Sequence, residues 1–319
     1  MLPPPEVMDP LSDVLALLKP RSHMAGGFDV GEPWSIRFGR YEGVKCYAVV
    51  AGACWLAIEG AEAPTRLKTG DYFILPRGQP FRLASDLEAT PTEAKAIFTC
   101  ASNGALRLVN GGGDCMIAGG HFALDGNHAG LLLGGLPAVV HIRQEADKAK
   151  LRWCLDQMRH ELREPRPGGS LIVQQLATMM LVQTLRLHLG DSSKDAVGWM
   201  FALADKRLGA AIGAVHADPA RRWTLQALAE RAGMSRSTFA LKFKQKVGKS
   251  AMDYVTQWRM RLAADRLANA RDPVSVIAQS LGYESESAFS VAFKRTMGCS
   301  PRQFARGDDT RAAASAVAA

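Results

Sequence analysis

Two stretches near the end of the chain repeat each other. Leu225 to Met234 resembles Val274 to Tyr283, with Ala229 matching Ala278 and Gly233 matching Gly282 at an offset of 49. After the turn, Ser235, Phe239, Phe243, Lys244 and Gly248 match Ser285, Phe289, Phe293, Lys294 and Gly298 at an offset of 50. Each copy reads as a short helix, a tight turn at glycine, and a second helix opened by serine. Glycine accepts the left-handed backbone that ends the first helix, and serine caps the second. The pairs Phe239/Phe243 and Phe289/Phe293, at i and i+4, put two aromatics on one inner face. Arg236, Ser237, Ala240 and Lys244 fall on the opposite face of the first copy. This is a helix-turn-helix pattern occurring twice with basic or hydroxyl residues outward.

Between the copies, 251–270 reads as one amphipathic helix with Ala251, Val255, Trp258 and Leu262 on its inner stripe, stopped by Asp272-Pro273. Twenty residues at about 1.5 Å each span about 30 Å. That is near the roughly 34 Å between successive major-groove faces of B-DNA on one side of the duplex. Charge supports the same partner. The chain of 319 residues has a formal net charge of +8. The stretch from Met200 to the end holds 19 basic and 10 acidic residues, against 20 and 21 in the first 199. From Asp205 to Arg306 the balance is 18 to 8, a net of +10 over the repeat. The polyanion-facing part is therefore C-terminal, and the near-neutral part does something else.

That first part reads as short extended runs. Ser35–Phe38, Cys54–Glu59, Tyr72–Leu75, Ala96–Phe98 and Leu106–Val109 are separated by Gly, Pro and Asp turns, which favours a sandwich or barrel. From about Glu145 the period becomes helical, with Leu151, Leu155, Met158 and Leu162 in one stripe. Pro165 to Gly169 breaks it. Leu171–Leu189 then forms an apolar helix whose Leu171, Ile172, Leu176, Met179, Met180, Leu185 and Leu189 cover more than one face. Such a helix needs two partners, one of which can be the same helix of a second subunit. The expected fold class is α+β. Residues 1–142 form a barrel, 143–199 a helical linker and dimerisation region, 200–308 an all-α domain with two helix-turn-helix units, and 309–319 a disordered tail.

No run of 18 apolar residues suggests a membrane span, and the first residues lack a signal-peptide pattern, so a cytoplasmic location is expected. The six cysteines (Cys46, Cys54, Cys100, Cys115, Cys154, Cys299) form no C-x-x-C pair and read as small buried hydrophobes. His23, His121, His128 and His141 lack a paired metal-ligand spacing. Neither a metal nor another cofactor is expected.

The closing stretch from Gly282 to Phe289, then Phe293-Lys294-Arg295, Gly298, Ser300-Pro301 and Phe304, resembles the signature of the AraC/XylS family of transcription regulators. Gly233 to Ser237 resembles its first unit, and Trp258-Arg259-Met260-Arg261 its linker helix. The likeness covers about 205–306. The family often has arginine two residues after each first phenylalanine, where this chain has Leu241 and Val291. The first part is similar to the cupin-type sensor domain attached to some of these regulators, through Trp34, Gly52, Leu67 to Asp71, Leu75 to Gly78 and Leu136-Pro137. Metal-binding cupins use histidines, and Tyr47 and Phe81 fall where those often stand.

The expected function is sequence-specific regulation of transcription, controlled by an effector or partner at the N-terminal barrel. Base-edge contact is expected from Arg236, Ser237, Thr238 and Lys242 in the first unit and from Glu286, Ser287 and Ser290 in the second. Phosphate contact is expected from Lys244, Lys294, Arg295 and Arg302. Trp34, Tyr47 and Trp55 are candidates for an effector cavity of unidentified ligand. The partners implied are double-stranded promoter DNA, RNA polymerase, a small-molecule effector and a second copy of the chain. Two alternatives stand beside this: a cupin enzyme with a DNA-binding C-terminal domain, for which residues 1–140 offer no catalytic constellation, and a metal-free effector module whose output is dimerisation alone.

Overall fold

Alternating burial along Val44–Ala51 (β3) sets the frame of the first half: Val44, Cys46 and Ala48 are buried on one face, while Lys45, Tyr47 and Val49 point to the other. The computed structural model describes residues 9–18, 21–98, 105–123, 133–142, 144–191, 197–269 and 272–306. They fall into two units, one of residues 19–125 and 136–193 and one of 1–18, 126–135 and 194–319.

The first unit holds two sheets. Its other strands are β1 (Arg21–Val30), β2 (Ser35–Phe38), β4 (Ala53–Ile58), β5 (Thr65–Lys68), β6 (Tyr72–Leu75), β7 (Phe81–Ala84), β8 (Thr92–Glu93), β9 (Leu106–Val109), β10 (Cys115–Ala123) and β11 (Val140–Ile142). One sheet runs β11-β6-β3-β10-β1-β9 and the other β5-β4-β7-β2-β8. All pairings are antiparallel except β1 with β9 and β2 with β8. Phe28, Trp34, Ile36, Phe38, Leu56, Phe73, Phe81, Leu83 and Ile117 pack as one core. Three expected runs, 35–38, 72–75 and 106–109, are strands with those bounds. The run Ala96–Phe98 is not extended. Ala94–Ile97 forms a helical turn (α2) in which the Phe98 N–H donates to the Ala94 carbonyl at 2.9 Å. Three apolar residues carry no period, and alanine favours the helix. The turn places the Phe98 ring 5.7 Å from Phe28 and 6.2 Å from Phe38.

Helices α3 (Glu145–Arg163) and α4 (Gly169–Asp191) belong to this unit and pack on each other and on the larger sheet. The Tyr72 hydroxyl donates to the Leu151 carbonyl at 2.7 Å, tying β6 to α3. Helix α4 buries Val173, Leu176, Ala177, Met180, Leu181 and Leu185 while Leu171 and Ile172 stay exposed. Part of the apolar breadth of this helix is thus met by α3 and the sheet, and Leu171, Ile172 and Met179 are left exposed.

The second unit is helical. It contains α1 (Pro10–Leu18), α5 (Trp199–Ala204), α6 (Lys206–Ala217), α7 (Leu225–Arg231), α8 (Arg236–Val247), α9 (Ala251–Asn269), α10 (Val274–Ser280), α11 (Glu286–Met297) and α12 (Pro301–Ala305). The expected linker helix is α9, with Ala251, Tyr254, Val255, Trp258, Met260 and Ala263 buried. The N-terminal helix α1 lies against α6 and α9. There a chain of hydrogen bonds runs through the interior. Trp199 Nε1–H donates to the Tyr254 hydroxyl at 2.8 Å, which donates to His216 Nε2 at 2.7 Å. His216 Nδ1 faces Asp13 Oδ2 at 3.0 Å, and Trp258 stacks on the imidazole at 3.8 Å. The 309–319 tail expected from sequence lies outside the described residues.

Candidate nucleic-acid interface and effector cavity

Each repeat is built as its sequence requires. Gly233 and Gly282 take φ of +60° and +77° at the turns. At Gly282 a Cβ would also fall 2.1 Å from the Ala220 carbonyl oxygen, so the position is closed to other residues twice over. Ser235 Oγ accepts from the Thr238 N–H at 3.3 Å and Ser285 Oγ from the Ala288 N–H at 3.1 Å, capping α8 and α11. Phe239, Phe243, Phe289 and Phe293 are buried, with ring centroids 5.4 Å apart in the first pair and 5.7 Å in the second. Packing one face of each helix fixes what the other presents.

That outer face carries most of the candidate readers. Arg236, Ser237, Thr238 and Lys242 are exposed on α8, and Ser287 is exposed on α11 with Glu286 and Ser290 half-buried. Glu286 is paired with Arg302 at 3.4 Å, so a base candidate and a phosphate candidate neutralise each other. The Thr238 hydroxyl accepts from Ser235 Oγ at 2.8 Å. Lys244, Lys294 and Arg295 are exposed and make no ion pair among the described residues. Leu241 and Val291, in equivalent places, are 61% and 68% exposed. Large apolar side chains facing outward on both helices have no role in the core of this unit.

The first unit holds a cavity of about 530 Å³, within the range of small-molecule sites. Phe28, Phe38, Tyr41, Tyr47, Phe98 and Ile117 give it an apolar wall, and Arg40, Lys45, Lys95, Arg107 and His121 line it as well. Gly119 lies in the lining, and a Cβ there would fall 2.1 Å from the Cys46 carbonyl oxygen and 2.8 Å from the Tyr47 ring. Of the three aromatics expected at an effector, Tyr47 lines this cavity. Trp34 sits in the core edge-on to Phe28 at 6.5 Å. Trp55 lies half-buried on β4 beneath the Arg66 guanidinium at 5.1 Å. Of the remaining wall residues, His121 drew notice in the sequence only as a histidine without metal-ligand spacing, and the other charged ones drew none. The signal for Lys45 was present, since it sits two residues from Tyr47 on one strand and shares its face.

Tyr47 and Phe81, at the positions where the cupin resemblance would put histidines, have ring centroids 6.4 Å apart. No group of three His, Cys, Asp or Glu among the described residues is placed to hold a metal ion. Cys46, Cys54, Cys115, Cys154 and Cys299 are buried thiols, and burial pushes the Cys46 thiol up to about 12. Such thiols behave as small hydrophobes rather than nucleophiles. Cys100, His128 and the side chain of His23 lie outside the described residues. No described helix is long and apolar enough to cross a membrane.

Comparison with known proteins agrees with both halves. A cupin family matches residues 9–190, and a helix-turn-helix domain family matches residues 228–307. An AraC-like transcription regulator of Streptomyces antibioticus is 41% identical over 299 residues, covering 93% of this chain and 98% of that protein. One of Streptomyces lividans is 40% identical, with the same coverage. The HTH-type transcriptional regulator MtrA of Neisseria gonorrhoeae is 30% identical over 303 residues, 92% of this chain and 97% of that one. A cupin-type first half, a duplicated helix-turn-helix and relatives matched end to end place the chain in the family of AraC-like transcription regulators.

Proposed function

We propose that this regulator is a one-component device. The cavity of the first unit takes a small-molecule effector, and α8 and α11 read promoter DNA. The observation that carries the DNA part is the shared design of the two helices, each with paired phenylalanines inward and polar or basic residues outward. In this reading Arg236, Ser237, Thr238, Lys242, Glu286, Ser287 and Ser290 approach base edges. Lys244, Lys294, Arg295 and Arg302 hold phosphates. Tyr47 contributes to the effector wall. Residues 1–142 sense, 143–199 relay and dimerise, 200–308 bind DNA, and 309–319 trail. The protein acts in the cytoplasm as a binding protein without catalysis, and RNA polymerase is its partner at the promoter.

A mobility-shift titration of the full chain on promoter DNA tests the reading. Affinity should fall linearly in log–log terms with salt, at a slope of roughly 0.9 per phosphate neutralised. Binding that ignores salt would overturn it. For dimerisation, support comes from Leu171, Ile172 and Met179, which leave an apolar face of α4 exposed. A population shift by the effector then requires different affinities for two states.

A further inference from the structure

We propose that the cavity of the first unit takes an organic anion, an apolar body carrying a carboxylate, and that Lys45 binds its charge. This rests on the effector reading above and adds the chemical class of the effector.

Every charged or ionisable nitrogen-bearing side chain in the wall is of one kind: Arg40, Lys45, Lys95, Arg107 and His121, with no Asp or Glu among the described lining residues. An apolar concavity lined this way selects against cations and in favour of anions. Lys45 stands out among these groups. Its strand alternation turns it inward beside Tyr47, and its ammonium sits 4.6 Å from the Phe38 ring centroid, 4.7 Å from Tyr41 and 5.1 Å from Phe81. It makes no hydrogen bond or ion pair with a carboxylate among the described residues. Burial pulls its amine down to about 8.

The same unit holds a second, more deeply buried ammonium for comparison. Lys148 has a carboxylate oxygen of Asp71 at 2.6 Å and one of Glu145 at 2.9 Å. Lys45 has aromatic faces instead. Their attraction for a cation is weaker than that of a paired carboxylate, so the ammonium has only part of the compensation that its loss of hydration calls for. A ligand carboxylate would supply the missing partner and cover the half-buried ammonium. A cationic ligand would have to share the aromatic faces with a resident ammonium. A neutral ligand would fill the cavity and leave Lys45 unpaired. The Tyr41 hydroxyl donates to the Leu75 carbonyl at 2.9 Å and is already committed there.

Calorimetry on the full chain can read this directly with one apolar body in three charge states: 2-naphthoate, 2-naphthylmethanol and 2-naphthylmethylammonium. The naphthoate should bind at least tenfold more tightly than the alcohol, and the ammonium most weakly. Lys45→Met keeps the apolar stem and removes the charge. It should erase the advantage of the naphthoate while leaving the Kd of the alcohol within threefold, and Lys45→Arg should retain the advantage. Lys45→Gln serves the same purpose should the methionine variant not fold. The proposal is overturned if the alcohol or the ammonium equals the naphthoate, if the charge-removing variant keeps the preference, or if no probe binds at millimolar concentration. Mobility shifts on the same preparation separate this from the wider reading. Salt-sensitive DNA binding without naphthoate preference removes the anion and leaves the regulator, and loss of DNA binding removes the regulator itself.

Discussion

Lys148 Nζ lies 2.6 Å from Asp71 Oδ1, with both side chains 4% exposed. Asp71 follows the β5–β6 turn and accepts the Lys68 N–H at 2.9 Å, while Lys148 is in the first turn of α3. The pair therefore fastens the helix to the sheet edge. Burial pulls the Lys148 amine down, but the Asp71 and Glu145 carboxylates outweigh it and the net shift is upward. Removing Lys148 leaves the buried Asp71 carboxylate with only the Lys68 N–H and His141 Nε2, at 3.3 Å, facing it. Lys148→Ala should destabilise the protein by about 3 kcal/mol. Lys150→Ala, which breaks the exposed pair with Asp147 at 2.7 Å, should lose less than about 1 kcal/mol. Urea midpoints of the two variants decide, and equal losses would deny the buried pair its role.

The second prediction concerns acid. Desolvation pulls the His216 imidazole down to about 4 against the opposing pull of Asp13. The unfolded chain takes up this proton near pH 6.5, whereas the folded chain resists until about pH 4. Protons thus favour the unfolded state in that window, and stability falls as pH drops from 6.5 to 4. The loss from this group approaches about 3 kcal/mol below the window. Urea midpoints at pH 7 and pH 5 should separate more for the wild type than for His216→Gln. Equal separations would show that His216 is not the titrating group.

How much of this was legible in the sequence depends on range. Gly233, Ser235 and Phe239 act within one turn-and-helix, so their spacing alone identified the motif, and its recurrence at Gly282, Ser285 and Phe289 fixed the reading. The Asp13–His216 contact joins residues 203 apart, and no local pattern announces it. Lys45 lay on the readable face of β3, but only the fold reveals that aromatics rather than a carboxylate surround it. Trp34 and Trp55 looked as suitable for a cavity as Tyr47. Their places in the fold separate them, Trp34 before β2 in the core and Trp55 on β4 beneath Arg66, because the interior is shared between core and cavity.

The third prediction divides base contact from phosphate contact. Arg236, in the first turn of α8, is a base candidate, and Lys244, two turns on, a phosphate candidate. Arg236→Ala should relax preference at one base pair, at about 1–3 kcal/mol for that pair. Lys244→Ala should weaken all operators alike and lower the salt slope by about one contact. Binding to a library of operator variants at two salt concentrations reads both. A uniform loss for Arg236→Ala would assign it to phosphate.

The fourth concerns assembly. Ile172 and Met179, seven residues apart on α4, are 45% and 44% exposed, and Leu171 beside them is 59% exposed. A seven-residue spacing puts the two on one stripe. On the proposed assembly, the wild type should have a dimer mass by light scattering at micromolar concentration, and Ile172→Glu with Met179→Glu a monomer mass with unchanged helical content. A monomeric wild type would remove the dimer, and an unchanged dimer mass in the variant would remove α4 from its contact.

The last prediction uses the departure from the family pattern. Leu241 lies four residues after Ser237 and Val291 four after Ser287, so each apolar side chain extends the outward face of a reading helix by one turn. Exposed side chains of this kind gain nothing from the fold, but against DNA they match the thymine methyl, which alone among major-groove groups is apolar. Leu241→Ala and Val291→Ala should each reduce preference for thymine at one operator position and leave the urea midpoint unchanged. Leu241→Arg should instead raise affinity for all sequences and steepen the salt dependence by about one phosphate. Selection of binding sites by wild type and by each alanine variant compares the positions directly. Identical selected sequences would mean that these residues do not reach the bases.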